Sequence, residues 1–256
     1  MPFQKIEAEK LSQSVIRQVE LLILRGILRP GERLPSEREL SERLGVSRPS
    51  LREAVAELQD RGLLVARPNA GIFVAEVLGS AFSPALIDLF ASHEEAVFDY
   101  AAFRSDLEGM AAGRAAQYGS DTDLAVIDTI FRKMEAAHQK RDPTHEAELD
   151  AHFHMAIIEA SHNVIMLHMM RSMYDLLRQG VFFNRQMMFR NRLTREMLLG
   201  QHRAINVGLQ ARDPKAARTA VEAHMDYVRQ AMLDQAKSAR NEAVARQRLE
   251  HERNRQ

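Results

Sequence analysis

The sequence predicts a mainly α fold in two domains: an N-terminal winged helix-turn-helix followed by a C-terminal, all-α antiparallel helical bundle. The chain of 256 residues is longer than one hydrophobic core usually supports, which favours two domains. Glycine, proline and β-branched residues concentrate before about residue 80, and the remainder is rich in helix formers at helical spacing. We expect the first domain at residues 1–78, the second at 79–236 and a charged tail at 237–256.

Two helices near the start of the chain are predicted from apolar spacing and cap residues. Gly26 supplies a stop for the first helix. Ser36 and Glu39 form a capping-box pattern at the start of the second, because the hydroxyl and the carboxylate can each satisfy an exposed backbone N–H group. The apolar residues on one face of the first helix are Leu11, Val15, Val19 and Leu22.

A third helix and a β-hairpin complete the predicted N-terminal domain. Gly45 can adopt the left-handed conformation that ends a helix, and Ser47 can cap the next helix, so the connection is tight. The buried face of the third helix contains Leu51, Val55 and Leu58. After it, the β-prone residues 63–65 and 72–74 predict a small hairpin, the wing.

Composition excludes several classes of protein. No apolar run is long enough to cross a bilayer, so we do not expect a membrane protein. The segment MPFQKIEAEK lacks the apolar core of a secretory signal, which predicts a cytoplasmic protein. The absence of cysteine excludes disulfides and thiolate metal sites. The net charge is formally zero, so any contact with DNA must come from local arginine clusters.

Arginines at the start of the third helix form a candidate DNA-reading set. Arg48 and Arg52 stand four residues apart and project from one face, roughly opposite the buried stripe. An arginine fork can donate two hydrogen bonds to a guanine edge, and Arg38 on the preceding helix can bind a phosphate. The alternative is that these arginines form surface ion pairs with the acidic residues Glu37, Glu42 and Glu53.

The segment LRPGERLPSERELSERLGVSRPSLREAVAELQDRGLL resembles the DNA-binding domain of the GntR family of bacterial regulators. The resemblance implies that the wing reaches the minor groove near Gly71. Such regulators often carry three glycines at the wing tip, whereas this chain has Asn69 and Ala70 before Gly71. The DNA contacts that the resemblance implies are Arg38, Ser47, Arg48, Ser50, Arg52 and Gly71.

The second domain is predicted as a succession of amphipathic helices. Two starts are well defined, because Asp142-Pro143 and Asp213-Pro214 each place an N-cap acid before a proline at the first helical position. Residues 237–256 are charged and predict a frayed or extended helical tail. The predicted helices are 85–92, 95–118, 121–140, 143–160, 164–187, 193–211 and 214–236.

Histidines and a carboxylate in this domain form a candidate metal set. Asp150 and His154 stand four residues apart on one predicted helix, a spacing that lets a metal ion bridge them. The alternative is a surface pair. His202 and His224 lie on two further helices, and each taken alone favours a core histidine over a metal ligand.

Residues 85–236 resemble the sensing domain of the FadR subfamily, the FCD domain, an antiparallel helical bundle around a ligand cavity. The subfamily's metal ligands are a D-x3-H segment and one histidine in each of two later helices, which implies Asp150, His154, His202 and His224 as ligands. His152 does not match. A set of three imidazoles and one carboxylate suits a divalent ion, Zn²⁺ first and Ni²⁺ or Mn²⁺ as alternatives.

The resemblance also covers Arg104 and Glu108, which match an R-x3-E pair facing the cavity. It implies that Arg104 binds an anionic effector, with Glu108 beside it. The alternative from spacing alone is a helix-surface ion pair.

The resemblance implies a transcription regulator, a homodimer on a palindromic operator, controlled by a small carboxylate. It is greatest to pyruvate-responsive repressors of pyruvate dehydrogenase complex or related central carbon genes. The alternative effector is lactate or another 2-hydroxy or 2-keto acid. From a different class, the metal set could belong to a metallohydrolase. We do not expect an enzyme, because no residue is recognisably placed as general base or nucleophile.

Overall fold

The mainly α fold class predicted from the sequence is confirmed by the computed structural model, which describes residues 10–76, 84–91, 93–178, 188 and 192–253. Its residues divide into two compact units between residues 81 and 82. The N-terminal unit contains α1 (Leu11–Leu24), α2 (Glu37–Leu44), α3 (Arg48–Asp60), β1 (Leu64–Arg67) and β2 (Gly71–Val74). The C-terminal unit contains α4 (Pro84–Ala91), α5 (Glu94–Tyr118), α6 (Asp121–Lys140), α7 (Pro143–Ala160), α8 (Val164–Arg178), α9 (Arg192–Gln210) and α10 (Pro214–Arg253).

The turn between α2 and α3 forms as the sequence predicts. Gly45 ends α2 in the left-handed conformation with φ of 65°. The Ser47 hydroxyl accepts a hydrogen bond from the Ser50 backbone N–H at 3.3 Å and so caps α3. At the start of α2 only half of the predicted capping box forms: Ser36 accepts from the backbone, but the Glu39 carboxylate accepts from Arg43 at 2.6 Å. The Arg43 guanidinium has thus drawn the carboxylate away from the helix start.

The core of the N-terminal unit lies between α1 and α3. Leu51 and Leu58 of α3 are fully buried and pack with Val15 and Ile16 of α1. Leu11 was predicted on this buried face but is 56% exposed, because the face that α1 buries is centred on Ser12, Ile16, Val19 and Ile23 and Leu11 lies at its margin.

The predicted wing is a two-stranded antiparallel sheet. Leu64 pairs with Val74 and Arg67 with Gly71, and the inward-facing Leu64 and Val74 join the core. The Arg67 guanidinium lies 4.3 Å from the centre of the Phe73 ring, a cation–π contact across the two strands.

The C-terminal unit is a helical bundle in which α10 packs along α5 and α9 while α6 packs along α7. Gly109 and Gly113 let α10 approach α5 closely: a Cβ at Gly109 would lie 3.3 Å from the Glu222 side chain, and one at Gly113 would lie 3.4 Å from the carbonyl oxygen of Pro214. The central helix is α7, whose Phe153 and Ile158 are fully buried. Within the described ranges, every helix is too short or too polar to cross a membrane.

Two of the predicted helices have ends that the structure places differently or does not describe. The helix predicted at 164–187 is described to Arg178, and its remainder lies outside the described residues. The helix predicted at 214–236 and the predicted frayed or extended helical tail form one helix, α10, which continues to Arg253. Its extension is built from good helix formers, and pairs such as Arg246 and Glu242, joined at 2.9 Å, support it without a buried face.

The close contact between α9 and α10 sets their register. A Cβ atom at Gly208 would lie 2.8 Å from the backbone nitrogen of Ala217, so only glycine fits. Gly208 follows His202 by six residues, and Ala217 precedes His224 by seven. In an antiparallel hairpin this contact places the two histidines opposite each other.

We predict that Gly208→Ala destabilises the protein by about 1–3 kcal/mol, because the new methyl group meets backbone that cannot rotate away. Gly200→Ala on the same helix is the matched control, since a Cβ there meets nothing within 4 Å. It should stabilise α9 by about 0.5–1 kcal/mol. Urea unfolding followed by circular dichroism measures both effects, and equal unfolding midpoints for the two variants would contradict the packing argument.

Candidate functional site

The candidate DNA-reading arginines lie on the exposed faces of α2 and α3. Arg38, Arg48 and Arg52 are all solvent-exposed. The Arg52 guanidinium binds the Glu37 carboxylate at 2.8 Å, so the ion-pair alternative is realised at that residue. Arg48 makes no ion pair with any residue that the structure describes. Near the start of α3, the Arg48 guanidinium therefore carries an uncompensated charge, whereas the charge of Arg52 is compensated by Glu37 of α2.

The remaining predicted DNA contacts are two serines at the start of α3 and a glycine in the wing. The Ser47 and Ser50 hydroxyls are 2.9 Å apart, so both are anchored at the start of α3. Gly71 at the wing has φ of 107°, and a Cβ there would lie 3.1 Å from Nε of Arg33. The wing thus requires glycine at residue 71, although Asn69 and Ala70 replace glycines at the tip.

The four candidate metal ligands come together in the centre of the C-terminal unit. Asp150 and His154 belong to α7, His202 to α9 and His224 to α10. All four side chains are buried, with exposed fractions of 6% for Asp150 and at most 2% for the histidines. Their nearest nitrogen and carboxylate oxygen atoms all lie within 4.8 Å of one another. Residues up to 74 positions apart in the chain thus form one cluster.

The distances inside the cluster suit ligands of one ion. Nε2 of His202 lies 3.1 Å from Oδ1 of Asp150 and 3.3 Å from Nε2 of His154. Nε2 of His154 lies 3.8 Å from the same Asp150 oxygen. Ligand atoms about 2.0–2.2 Å from a common zinc ion stand at such separations. A metal here would polarise a bound carboxylate as a Lewis acid.

Glu108 and Arg104 of α5 form a second layer behind the cluster. Nδ1 of His154 lies 2.5 Å from Oε2 of Glu108, and Nε of Arg104 donates to Oε1 of Glu108 at 2.7 Å. Burial alone would raise the pKa of the Glu108 carboxyl, but the attraction of Arg104 and His154 and their hydrogen bonds outweigh it and hold that pKa well below its ordinary value. In the neutral, metal-binding form of His154, a proton on Nδ1 would face this carboxylate, which only accepts, and Nε2 would keep its lone pair for a metal.

His224 is oriented in the same way by α9. Its Nδ1 lies 3.0 Å from Oε1 of Gln201, the residue next to His202. Burial lowers the pKa of His224 well below its ordinary value, and the nearby His202 and His154 lower it further. The neutral imidazole is the form that binds a metal, so the donor set fits a divalent ion.

Some functional residues were missed by the sequence reasoning. Gln201 was not singled out, since a glutamine beside a histidine carries no distinct signal. Glu146 of α7 and Arg195 of α9 form a buried ion pair beside the cluster. Glu146 precedes Asp150 by four residues, a spacing that could have placed it on the same helix face. His152, left out of the predicted set, is exposed and lies on another face of α7.

A winged helix-turn-helix joined in one chain to a helical unit with a buried ligand cluster is the architecture of an effector-controlled transcription regulator. The chain belongs to the bacterial regulatory proteins of the gntR family, whose model matches residues 11–74, and carries an FCD domain matched over residues 99–227. The predicted resemblance is therefore confirmed. Members of this family regulate transcription by binding operator DNA, so the expectation that the chain is not an enzyme is also confirmed.

Several relatives are similar over nearly the whole chain. A protein of Escherichia coli strain K12 described as an L-lactate dehydrogenase operon regulatory protein is 34% identical, over 95% of this chain and 96% of its own. The Glc operon transcriptional activator of the same strain is 32% identical, over 90% of this chain and 92% of its own. The solved structure of Streptococcus agalactiae GntR covers 86% of this chain and 99% of its own, with a TM-score of 0.52 and 25% identity.

We predict that Glu108→Gln lowers the zinc affinity of the protein by about 10–100-fold, because a neutral amide no longer fixes and polarises His154. Competition with a chromophoric chelator measures this affinity. The matched control is Glu222→Gln, which breaks an exposed pair with Arg218 of the same i, i+4 spacing, 2.7 Å long. A similar loss of affinity in both variants would contradict the role assigned to Glu108.

Proposed function

We propose that the protein is a homodimeric repressor or activator of carbon-metabolism genes that binds a symmetric operator and responds to a short 2-keto or 2-hydroxy acid held at a metal centre. The observation that carries this proposal is the buried cluster of Asp150, His154, His202 and His224 in a chain that also contains a winged helix-turn-helix. The cluster supplies the effector site, and α3 with the wing supplies the DNA-reading surface.

The DNA half of the proposal rests on α3 entering the major groove. Arg48 and Arg52 would face base edges, Arg38 a phosphate, and Gly71 would bring the wing close to the backbone of the minor groove. One such helix reads only a few base pairs, so specific binding favours two copies on a palindromic site. A light-scattering mass of one chain on the intact operator would contradict the dimer.

The proposal of a carboxylate effector is supported by the charge of the cluster. Asp150 is the anionic member of the cluster, and the three histidines are neutral ligands, so a bound divalent ion keeps a net positive charge. A carboxylate compensates that charge and can complete the coordination sphere. Zn²⁺ is our first choice for this donor set, with Ni²⁺ and Mn²⁺ as alternatives.

Pyruvate and L-lactate are the two leading effector candidates. Pyruvate follows from the resemblance to pyruvate-responsive repressors of pyruvate dehydrogenase complex genes. L-lactate is supported by the 34% identity to the regulatory protein of an L-lactate dehydrogenase operon. Both are monocarboxylates with an adjacent oxygen, and both suit a positively charged, buried site.

Arg104 contributes to this site through Glu108. Its side chain is only 7% exposed, and its Nε is committed to the Glu108 carboxylate at 2.7 Å. The family resemblance supports a role for the Arg104 guanidinium near the effector, in which it holds the charge and position of Glu108. Glu108 then couples the arginine to the His154 ligand.

We predict that Arg48→Ala weakens binding to the specific operator by about 1–3 kcal/mol and relaxes preference at one base position. Fluorescence anisotropy on operator and random duplexes measures both quantities. Arg61→Ala is the control and should leave the operator preference unchanged, because Arg61 directly follows the other end of α3 and is paired with Glu20 and Glu57. Equal losses on specific and random DNA would reassign Arg48 to a phosphate contact.

We predict that His202→Ala abolishes the influence of the effector on operator affinity and leaves effector-free DNA binding within about threefold of the wild type. Removing His202 deletes a ligand contributed by α9, whereas the DNA-reading arginines lie in the other unit. The control is His152→Ala, an exposed histidine on α7 outside the cluster. Operator titrations with and without pyruvate or L-lactate measure the coupling, and a full effector response after chelation would refute the metal-centred mechanism.

A further inference from the structure

The buried ion pair between α7 and α9 lies beside the ligand cluster and is used by nothing described so far. Nε of Arg195 donates to Oε2 of Glu146 at 3.0 Å, and Nη2 donates to Oε1 at 2.6 Å. Nη2 also donates to the backbone carbonyl of His138 at 2.7 Å. Both side chains are more than nine-tenths buried. Arg195 and Glu146 thus neutralise each other in a two-point pair that water hardly reaches.

This ion pair lines one small cavity together with His202 of the cluster. Glu146 precedes Asp150 by four residues on α7, and Arg195 precedes His202 by seven on α9, so each pair of residues lies on one helix face. A ligand held at the cluster by its carboxylate would extend toward Arg195. The residues that line the cavity are Met134, His138, Glu146, Arg195, Leu199 and His202.

We infer that Glu146, by acting as the built-in counter-ion of Arg195, makes this site selective for monocarboxylates over dicarboxylates. This inference rests on the effector function proposed above and specifies the class of ligand. A second carboxylate on the ligand would reach a guanidinium whose charge is already compensated by Glu146. The second carboxylate of the ligand would then be buried beside the Glu146 carboxylate without a positive partner of its own, and burying an unpaired charge is costly. The side chains of Met134 and Leu199 instead accept a short apolar end.

The ligand pair L-lactate and L-malate tests this inference, because L-malate is L-lactate with a second carboxylate on its methyl carbon. Isothermal titration of the zinc-loaded, full-length protein gives both affinities. We expect the wild type to bind L-lactate at least about tenfold more tightly than L-malate, since burying an unpaired carboxylate is penalised. Equal affinities in the wild type would overturn the inference without the need for any variant.

The diagnostic variant is Glu146→Gln, which keeps the size of the side chain and removes its charge. The Arg195 guanidinium then lacks its anion, and the second carboxylate of L-malate can take that place as a bidentate partner. We expect the preference for L-lactate over L-malate to fall by at least about tenfold. An unchanged preference, in a variant that still binds zinc, would overturn the assignment of selectivity to Glu146.

Two further variants separate this effect from general damage. The double variant E146Q/R195M removes both charges, and buried sites often tolerate the loss of a complete ion pair. It should not show the gain in L-malate binding that is expected for Glu146→Gln alone. Glu135→Gln is the matched control, because it releases the exposed Arg203 of α9, the helix that also carries Arg195, from a 2.8 Å ion pair with α6. It should leave the preference unchanged, and a preference altered as strongly as in Glu146→Gln would overturn the inference. If the wild type binds neither pyruvate nor L-lactate, the proposed effector function itself fails, and this inference fails with it.

Discussion

The burial of four polar side chains, the candidate metal ligands, in one apolar core is the constraint on which the C-terminal unit depends. Each of these groups would lose solvation on burial, so the helices that carry them must meet with the ligand atoms facing one another. The Phe153 ring packs against the cluster, with its centre 6.0 Å from that of His154 and 5.4 Å from that of His202. The Gly208 contact with Ala217 brings α9 and α10 close enough for His202 and His224 to face each other. Local packing and the chemistry of the cluster therefore require the same helix register.

A second layer of polar side chains offsets the free-energy cost of burying the four side chains of the cluster. Glu108 holds His154, and Gln201 holds His224. Each charge added by this layer has its own partner: Glu108 binds Arg104, and Glu146 binds Arg195. The outer layer therefore orients the ligands without adding net charge to the cavity.

The sequence predicted the local features better than the long-range ones. Gly45 and Ser47 identified the turn of the helix-turn-helix because a helix stop and an N-cap act within a few residues. Spacing alone suggested Asp150 with His154, but His202 and His224 joined them only through the family resemblance, since contacts between three helices leave no local pattern. The ion pair of Glu146 with Arg195 was missed for the same reason: its partners are 49 residues apart. The continuation of α10 past residue 236 was predicted only as a frayed or extended helical tail, because its described residues have no buried face that leaves a periodic signal.

Charge accounting connects the two layers to the ligand that the site can hold. With Arg104 and Arg195 compensated by their own carboxylates, Asp150 is the cluster member that opposes the charge of a divalent ion. One unit of positive charge then remains in a buried, weakly polarisable setting, where an opposite charge interacts strongly. A single carboxylate neutralises it, whereas a second would create the buried excess charge that the ion pairs prevent elsewhere. In the proposed function, the charge of the effector therefore follows from the two ion pairs as well as from the cluster itself.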